Sequence, residues 1–173
     1  MAAPPPADVP GAGVQDGPDA PAPKDWPESR ERALRLWIAL ARCYATYSKS
    51  VAGKIHEYGL TTPQFGIIEA LYHLGPLSLG QLADKLLVTG GNVTYVMDRL
   101  EAQGLVLRER SPQDRRIIQA KLTPEGRKLI SEVFPGHGEF IEGLANHLDV
   151  DEQEVLRSLL KKLGRSIQNG QSE

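Results

Sequence analysis

Apolar residues recur at steps of three or four along most of the chain, which is the spacing of one face of an α-helix. The first stripe begins near Glu28 and ends before Gly59, a residue type that favours a helix end. A helix of about thirty residues is longer than one domain core needs, so we expect part of it to pack on a partner chain. Burial within its own subunit is the alternative. The stripe comprises Trp37, Leu40, Tyr44, Tyr47, Val51, Ile55 and Tyr58.

Three shorter helices are predicted next. Thr62-Pro63 begins the second helix, because proline is tolerated in a first turn, and Gly75-Pro76 ends it. Thr89 is the expected N-cap of the fourth helix, and Gly104 closes that helix. The apolar faces are Phe65, Ile68, Leu71 and Tyr72 in the second helix, Leu79, Leu82, Ala83 and Leu86 in the third, and Val93, Val96, Met97 and Leu100 in the fourth.

A two-stranded ribbon and two further helices complete the pattern. Residues 105–110 and 117–122 have strand character, and residues 111–116 between them are rich in turn formers. Thr123-Pro124 begins a helix in which Pro135-Gly136 predicts a kink or a break. The acidic segment 149–152 begins the last helix, whose apolar stripe is Val155, Leu156, Leu159, Leu160, Leu163 and Ile167.

The order of these elements predicts the fold class. Residues 77–126 read as two short helices, a ribbon with a polar, arginine-bearing tip, and the start of another helix. That order is typical of the winged helix-turn-helix, in which one helix enters the DNA major groove and a loop lies beside it. We therefore expect a mainly α protein with a small β-wing, which binds duplex DNA and is not an enzyme.

The net charge of −2 conceals a basic centre. Residues 1–29 and 129–173 each have a net charge of −4, whereas residues 30–75 and 76–128 each have +3. Local charge rather than the total determines attraction to phosphate, so the overall charge does not argue against DNA binding.

The fourth helix is the expected recognition helix. Two glycines at its start would let the backbone approach DNA phosphates closely. Asparagine can form two hydrogen bonds with adenine, and a threonine methyl can pack on a thymine methyl. An arginine further along the helix is better placed to contact phosphate. The alternative is an ordinary turn followed by exposed side chains. The predicted contacts are Gly90, Gly91, Asn92, Thr94, Tyr95 and Arg99.

Charged residues define the predicted wing tip. We expect Arg116 to enter a minor groove, where the negative potential favours arginine. Asp114 lies two residues earlier and would orient that guanidinium through a bidentate pair, while Arg115 would meet the DNA backbone. Arg108 and Arg110 share one face of the preceding strand and should add to phosphate attraction. Solvated surface charge is the alternative.

The segment from Gly59 to Lys128 resembles the MarR family of bacterial transcription regulators. The matching sequences are GLTTPQFGIIEAL and LSLGQLADKLLVTGGNVTYVMDRLEAQGLVLRERSPQDRRIIQAKLTPEGRKLI. The most specific pattern is D-x-R followed by L-T-x-x-G, formed by Asp114, Arg116, Leu122, Thr123 and Gly126. With the helical ends, the resemblance covers residues 30–167. VTGGNVTYVMDRLE and VFPGH look similar to a branch that responds to quinones and phenolic compounds.

The resemblance implies a homodimer with the order α1-α2-β1-α3-α4-β2-β3-α5-α6. It implies a domain over residues 28–168, in which 28–58 and 124–168 form dimerisation helices and 60–123 form the DNA-binding region. Such proteins usually repress from a near-palindromic operator, and many release DNA when a small aromatic ligand binds. Residues 1–27, with eight of the thirteen prolines, are expected to be a disordered tail, and 169–173 a flexible end.

Two ways of sensing an effector are considered. The aromatic or titratable residues Trp37, Tyr44, Tyr72 and His73 could line a phenolic site, although a core or interface position is the favoured explanation of each. Cys43 lies on the first helix, as does the cysteine of peroxide-sensing relatives, but about two turns out of register with it. A small packing residue is therefore the favoured role of Cys43, and thiol-based sensing is the alternative.

Other functional classes have little support in the sequence. The start lacks a secretory signal, and no apolar run is long enough to span a membrane, so a cytoplasmic, nucleoid-associated location is expected. One cysteine and histidines without metal-site spacing predict no metal and no cofactor. A winged helix that binds protein instead of DNA remains an alternative, although such a domain would not need the glycine pair or the basic wing.

Overall fold

The computed structural model describes residues 26–111, 114 and 116–170 of the chain. The first helix, α1, runs over Glu28–Glu57 and contains the boundary between two compact units, the first ending at Arg42 and the second beginning at Cys43. Gly59 follows α1 with φ +74°, a left-handed conformation that suits glycine. Most of the predicted tail, residues 1–25, lies outside the described residues.

Three helices of the second unit follow α1, as the sequence predicts. They are α2 (Thr62–Leu74), α3 (Leu79–Leu86) and α4 (Gly90–Ala102). Both α2 and α3 begin with a reciprocal cap. The hydroxyl of the cap residue accepts a hydrogen bond from the backbone N–H of a glutamine three positions later, and the side-chain oxygen of that glutamine accepts one from the backbone N–H of the cap residue. The capping pairs are Thr61 with Gln64 and Ser78 with Gln81.

A three-stranded antiparallel sheet forms the wing. Its strands are β1 (Leu77–Ser78), β2 (Val106–Arg110) and β3 (Ile118–Leu122), in the order β1-β3-β2. The register places Val106 opposite Leu122 and Arg110 opposite Ile118. The paired strands of the ribbon therefore end at Arg110 and Ile118.

The last two helices differ in detail from the prediction. α5 (Pro124–Ala145) continues through Pro135, so the helix does not break at Pro135-Gly136, and the kink expected as the alternative stays a prediction. Thr123 caps α5 by accepting a hydrogen bond from the Gly126 amide at 3.0 Å. α6 (Val150–Gly170) begins after a reciprocal cap between Asp149 and Glu152. It continues beyond the predicted limit at 168, and the rest of the predicted flexible end, 171–173, lies outside the described residues.

The core lies in the second unit, where α1, α2, α3, α4, the wing strands and α5 contribute buried apolar side chains. Burial of these side chains is the main favourable term that holds α4 on the domain. The largest fully buried side chains of the core are Ile55, Ile67, Ile68, Leu71, Leu82, Val93, Met97, Leu100 and Ile130.

Two helices have apolar faces that are exposed in the single chain. No residue of α6, all of which lies in the described part of the chain, is buried. An exposed stripe of this length is typical of a helix that packs on another chain. The exposed apolar residues are Leu34, Leu36, Trp37, Ile38, Tyr44 and Tyr47 of α1, and Val155, Leu156, Leu159, Leu160, Leu163 and Ile167 of α6.

Candidate nucleic-acid interface

The fourth helix separates its residues into a buried and an exposed face. The predicted apolar positions Val93, Val96, Met97 and Leu100 are buried, and all six predicted contact residues are exposed. Thr89 is the N-cap residue, but its side chain makes no capping bond to any described residue. The first turn therefore presents amides to the outside without a side-chain acceptor over them.

Gly90 and Gly91 begin α4 at an open surface. A Cβ atom added at either position would meet no described atom within 4 Å, so packing inside the chain does not require glycine there. Glycine at both positions lets another molecule approach the backbone of the first turn closely. The positive end of the helix dipole favours an anion at the same place.

The middle of the exposed face of α4 is partly ordered by its own contacts. The Arg99 guanidinium lies 4.8 Å from the centroid of the Tyr95 ring, which is 56% exposed. The Thr94 hydroxyl donates to the Gly90 carbonyl oxygen at 3.1 Å. Since that bond occupies the hydroxyl hydrogen, the methyl group is the part of Thr94 left for an apolar contact.

The predicted wing-tip pair is present. Arg116 donates from Nε to Asp114 Oδ1 and from a terminal nitrogen to Oδ2, each at 3.2 Å, and its backbone amide donates to Oδ1 at 3.0 Å. The hydrogen bonds from Arg116 lower the pKa of Asp114, which keeps the carboxylate charged. The Arg116 side chain is nevertheless 90% exposed. Arg115 lies outside the described residues.

Arg108 lies elsewhere than the sequence analysis expected. Its side chain is only 21% exposed and forms ion pairs with Asp98, at 2.8 Å, and with Glu101. It also donates to the Thr94 carbonyl oxygen at 3.2 Å. The two carboxylates of α4 offset the charge of Arg108, which argues against the predicted contribution of this residue to phosphate attraction. Arg110 is exposed at the end of β2.

The four predicted pocket residues do not form one cluster. Tyr72 and His73 contact each other and the Phe134 ring, with the His73 and Phe134 centroids 4.6 Å apart. Tyr44 instead lines a cavity, described below. Trp37 belongs to the first unit and is 65% exposed.

A cavity of about 310 Å³ lies against the first half of α4. Its wall is mainly apolar, and Tyr44, Thr62 and Asn92 supply polar side chains. Asn92 therefore belongs both to the exposed start of α4 and to the cavity wall. The remaining lining residues are Pro63, Gly66, Ile67, Leu86, Val88, Val93 and Val96.

A buried histidine was not singled out by the sequence analysis. His137 of α5 packs on Phe65, with ring centroids 4.5 Å apart, and beside Tyr58. His137 Nδ1 and the Tyr58 hydroxyl are both buried and have no hydrogen-bond partner among the described residues. Burial lowers the pKa of His137, although the charge of Glu69 opposes this shift. In the sequence, only the apolar residues around His137 suggested its burial.

Cys43 is exposed on α1, so the single chain does not bury it as a packing residue. Among the described residues, no three histidine, cysteine, aspartate or glutamate side chains are arranged to hold a metal ion. In the same part of the chain, no helix has the length and apolar character needed to cross a membrane.

Comparisons with known proteins agree with this architecture. The model of the MarR family matches residues 60–118. The HTH-type transcriptional regulator MhqR of Bacillus subtilis is 37% identical over 134 residues, covering 78% of this chain and 92% of MhqR. The regulator YkoM of the same organism is 38% identical over 137 residues, covering 79% and 89%.

A solved structure of Bordetella bronchiseptica BpsR is similar in fold and sequence. It has a TM-score of 0.67 and 28% identity, and the match covers 75% of this chain and 98% of BpsR. That structure concerns regulation of BpsR DNA binding by 6-hydroxynicotinic acid. The family match, the identity to MhqR and the winged-helix architecture together assign the chain: it belongs to the MarR family of transcriptional regulators, which are not enzymes.

Proposed function

We propose that this protein is a homodimeric repressor that binds a near-palindromic operator and releases it when a small aromatic ligand binds. One observation supports the DNA-binding part most strongly. The exposed face of α4 begins with two glycines, and a cation held in a fixed orientation, Arg116, lies at the wing tip. This arrangement suits α4 in a major groove and the wing in the neighbouring minor groove.

The individual contacts follow from the side chains of α4 and the wing. We assign base contacts to Asn92, Thr94 and Tyr95, which lie near the start of the helix, where side chains reach base edges. Gly90, Gly91 and Arg99 suit phosphates. At the wing, we place Arg116 in the minor groove and Arg115 on the backbone. We expect the protein to act at the nucleoid in the cytoplasm.

A second copy of the chain would cover the exposed apolar faces of α1 and α6. A twofold dimer presents two recognition helices, and half-sites about one helical turn apart match two such helices on one face of DNA. The near-palindromic operator follows from that symmetry. Repression is the simplest outcome, because a bound dimer excludes other proteins from the site.

The cavity beside α4 is our proposed effector site. Its volume of about 310 Å³ lies at the lower end of the usual range for small-molecule sites, and its mainly apolar wall suits a single aromatic ring. Tyr44, Thr62 and Asn92 offer hydrogen bonds to a phenolic or quinone oxygen. A ligand there would release DNA if it bound more tightly to a conformation in which α4 is displaced from its DNA-bound position. The regulation of BpsR by a hydroxylated aromatic acid supports this ligand class.

Binding to a selected duplex tests the DNA-binding function. Wild-type protein is used to select duplexes from a random-sequence pool, and affinity for the selected duplex is then measured by fluorescence anisotropy as the salt concentration increases. We expect an inverted repeat and a steep loss of affinity, since phosphate contacts release counterions. Failure to bind any duplex at low salt would instead favour the protein-interaction module.

Release of the selected duplex by catechol, 4-hydroxybenzoate and methylhydroquinone tests the effector site. We expect Tyr44→Ala to raise the concentration needed for release, because Tyr44 lines the cavity. Tyr47→Ala, on the same helix but outside the cavity lining, is the control. Equal release from both variants would contradict the location of the site.

Thiol-based sensing through Cys43 is the second candidate mechanism, and the exposure of this cysteine favours it. An accessible thiol can be oxidised, whereas a buried one is inert. Cys43→Ser is compared with wild type under hydrogen peroxide, with DNA release as the signal. A variant that releases DNA as the wild type does would exclude the thiol mechanism.

A further inference from the structure

Arg108 connects the wing to the recognition helix through three acceptors. Its guanidinium forms ion pairs with Asp98, at 2.8 Å, and with Glu101, and donates to the Thr94 carbonyl oxygen at 3.2 Å. The acceptors occur on successive turns of α4. One side chain of β2 is therefore fixed along much of the helix that carries the proposed base contacts.

The position of Arg108 makes this connection mechanically relevant. β2 leads directly to the wing tip, and Arg108 pairs with Ala120 of β3 in the sheet register. The other end of the contact is the face of α4 next to Tyr95 and Arg99. A planar guanidinium can bond several acceptors in fixed directions, whereas a lysine ammonium acts as a point charge. The geometry therefore favours a specific attachment over simple charge balance.

Charge balance is a secondary consequence of the same contact. α4 contains one cation, Arg99, and two anions, Asp98 and Glu101, so the helix itself has a net charge of −1. Unpaired carboxylates on this helix would repel DNA phosphates. Arg108 neutralises that excess while remaining only 21% exposed itself.

We propose that Arg108 is a positioning residue that makes α4 and the wing bind DNA as one unit. It touches no base or phosphate in this account and acts through the helix and the strand. The inference rests on the proposed DNA binding and adds a coupling between its two contact surfaces. The coupling predicts that Arg116 contributes to affinity only when Arg108 holds the wing in register with α4.

A double-mutant cycle measures this coupling. Affinity for the duplex selected by the wild-type protein is determined for Arg116→Ala, Arg108→Met and the combined variant. We expect Arg116→Ala to reduce affinity about tenfold in the wild-type background. In the Arg108→Met background, we expect the same change to cost less than about threefold, because residues that act as a unit are not additive.

A second variant keeps the test valid if Arg108→Met folds poorly. Asp98→Asn combined with Glu101→Gln weakens the same attachment from the α4 side while conserving side-chain shape, and we expect it to reduce the effect of Arg116→Ala in the same way. Glu109→Gln is the matched control: Glu109 lies on β2 but pairs with Lys121 of β3, at 3.6 Å. Its cycle with Arg116→Ala should be additive.

The outcomes separate this inference from the proposed function. Loss of folded protein alone would lower the active fraction and leave the effect of Arg116→Ala at about tenfold, so an additive cycle in both backgrounds would overturn the positioning role. Wild-type protein that binds no duplex would overturn the DNA-binding function itself. Circular dichroism and sedimentation of each variant measure the folded, dimeric fraction used in the comparison.

Discussion

Three arginines of α4 and the wing differ in their surroundings. Arg99 stacks on Tyr95, Arg108 is enclosed by acceptors of α4, and Arg116 is exposed but paired with Asp114. An exposed cation that is already oriented loses less side-chain entropy on binding DNA than a free one. Of these three arginines, we therefore expect Arg116, at the wing tip, to contribute most directly to DNA binding.

Replacing Arg116 by alanine should weaken operator binding by about 1–3 kcal/mol while the dimer stays intact. The physical reason is the loss of a cation from a narrow, negative groove. Anisotropy titrations on the selected duplex measure the change, and Lys161→Ala on α6 controls for the loss of one positive charge. Wild-type affinity in the Arg116 variant would contradict our account of the wing.

His137 should make the stability of the domain depend on pH. Burial lowers the pKa of His137 in the folded state, so the unfolded chain takes up a proton more readily. The free energy of unfolding should therefore fall as the pH decreases from about 6.5, the ordinary histidine value, towards the lower pKa of the folded state. Above that window, His137 is neutral in both states and this contribution does not change.

The variant His137→Phe isolates the effect. Phenylalanine retains a ring against Phe65 and Phe134 but cannot take up a proton. Urea unfolding of wild type and variant between about pH 5 and pH 8 should show a smaller pH dependence in the variant, in the direction given by linkage. Identical pH dependence in the two proteins would show that His137 protonation is not coupled to unfolding.

At the scale of elements, the start of α5 is attached to the start of the wing by a close backbone approach. A Cβ added to Gly126 would lie 2.0 Å from the Leu105 carbonyl oxygen. The Thr123 hydroxyl donates to the Gly104 carbonyl oxygen at 2.7 Å, and the Thr123 amide donates to that of Leu105 at 3.1 Å. The L-T-x-x-G pattern thus encodes both the cap of α5 and the space that its first turn requires.

Gly126→Ala should destabilise the domain by about 3 kcal/mol or more, because the added methyl group would overlap a backbone atom. Gly143→Ala on the same helix is the matched control, since a Cβ there meets no described atom within 4 Å. Alanine at that position should leave stability unchanged or raise it by up to about 1 kcal/mol. Chemical unfolding of both variants makes the comparison, and equal stabilities would contradict the close approach.

The helices and the ribbon were predictable because their apolar spacing and their caps are local signals. The capped starts at Thr61, Ser78 and Thr123 require only residues a few positions apart. The sequence did not decide between a kink and a break at Pro135, since tertiary packing determines whether a helix continues past a local breaker. Leu87 likewise adopts a left-handed φ of +53°, although leucine has no local preference for it.

The candidate site was predictable where its contacts are local. Asp114 and Arg116 are two positions apart, and their pairing follows from that spacing. The partners of Arg108 lie seven or more positions away on another element. The alternation along the strand therefore suggested an exposed Arg108, whereas the fold buries this side chain in part. The cavity beside α4 brings together residues from four helices, which no single stretch of sequence indicates.

At the scale of the whole molecule, the exposed faces of α1 and α6 are the main argument for a dimer. The α6 stripe includes Leu156, Leu159 and Leu163, all substantially exposed in the single chain. Covering such side chains removes apolar surface from water, and each Å² of that surface contributes about 25 cal/mol of favourable free energy to association. A twofold dimer would also have the symmetry that the proposed two-part operator requires.

Leu159→Glu should dissociate the dimer, because it places a charge in the middle of the apolar stripe of α6. Sedimentation should give a monomer or a dimer weakened at least about tenfold, and operator affinity should fall with it. Lys161→Gln, two positions along α6 and therefore about 200° around the helix from Leu159, controls for a change on α6. A dimer of undiminished stability in the Leu159 variant would exclude this stripe from the interface.

Hydroxyl-radical footprinting of the wild-type protein on its selected duplex shows where the two α4 helices and the two wings of a dimer contact DNA. If two α4 helices enter adjacent major grooves and the wings lie beside them, the cleavage pattern will be symmetric. We predict two protected half-sites with centres about one helical turn apart and protected minor-groove positions on their outer sides. A single protected site, or no protection at low salt, would contradict the account.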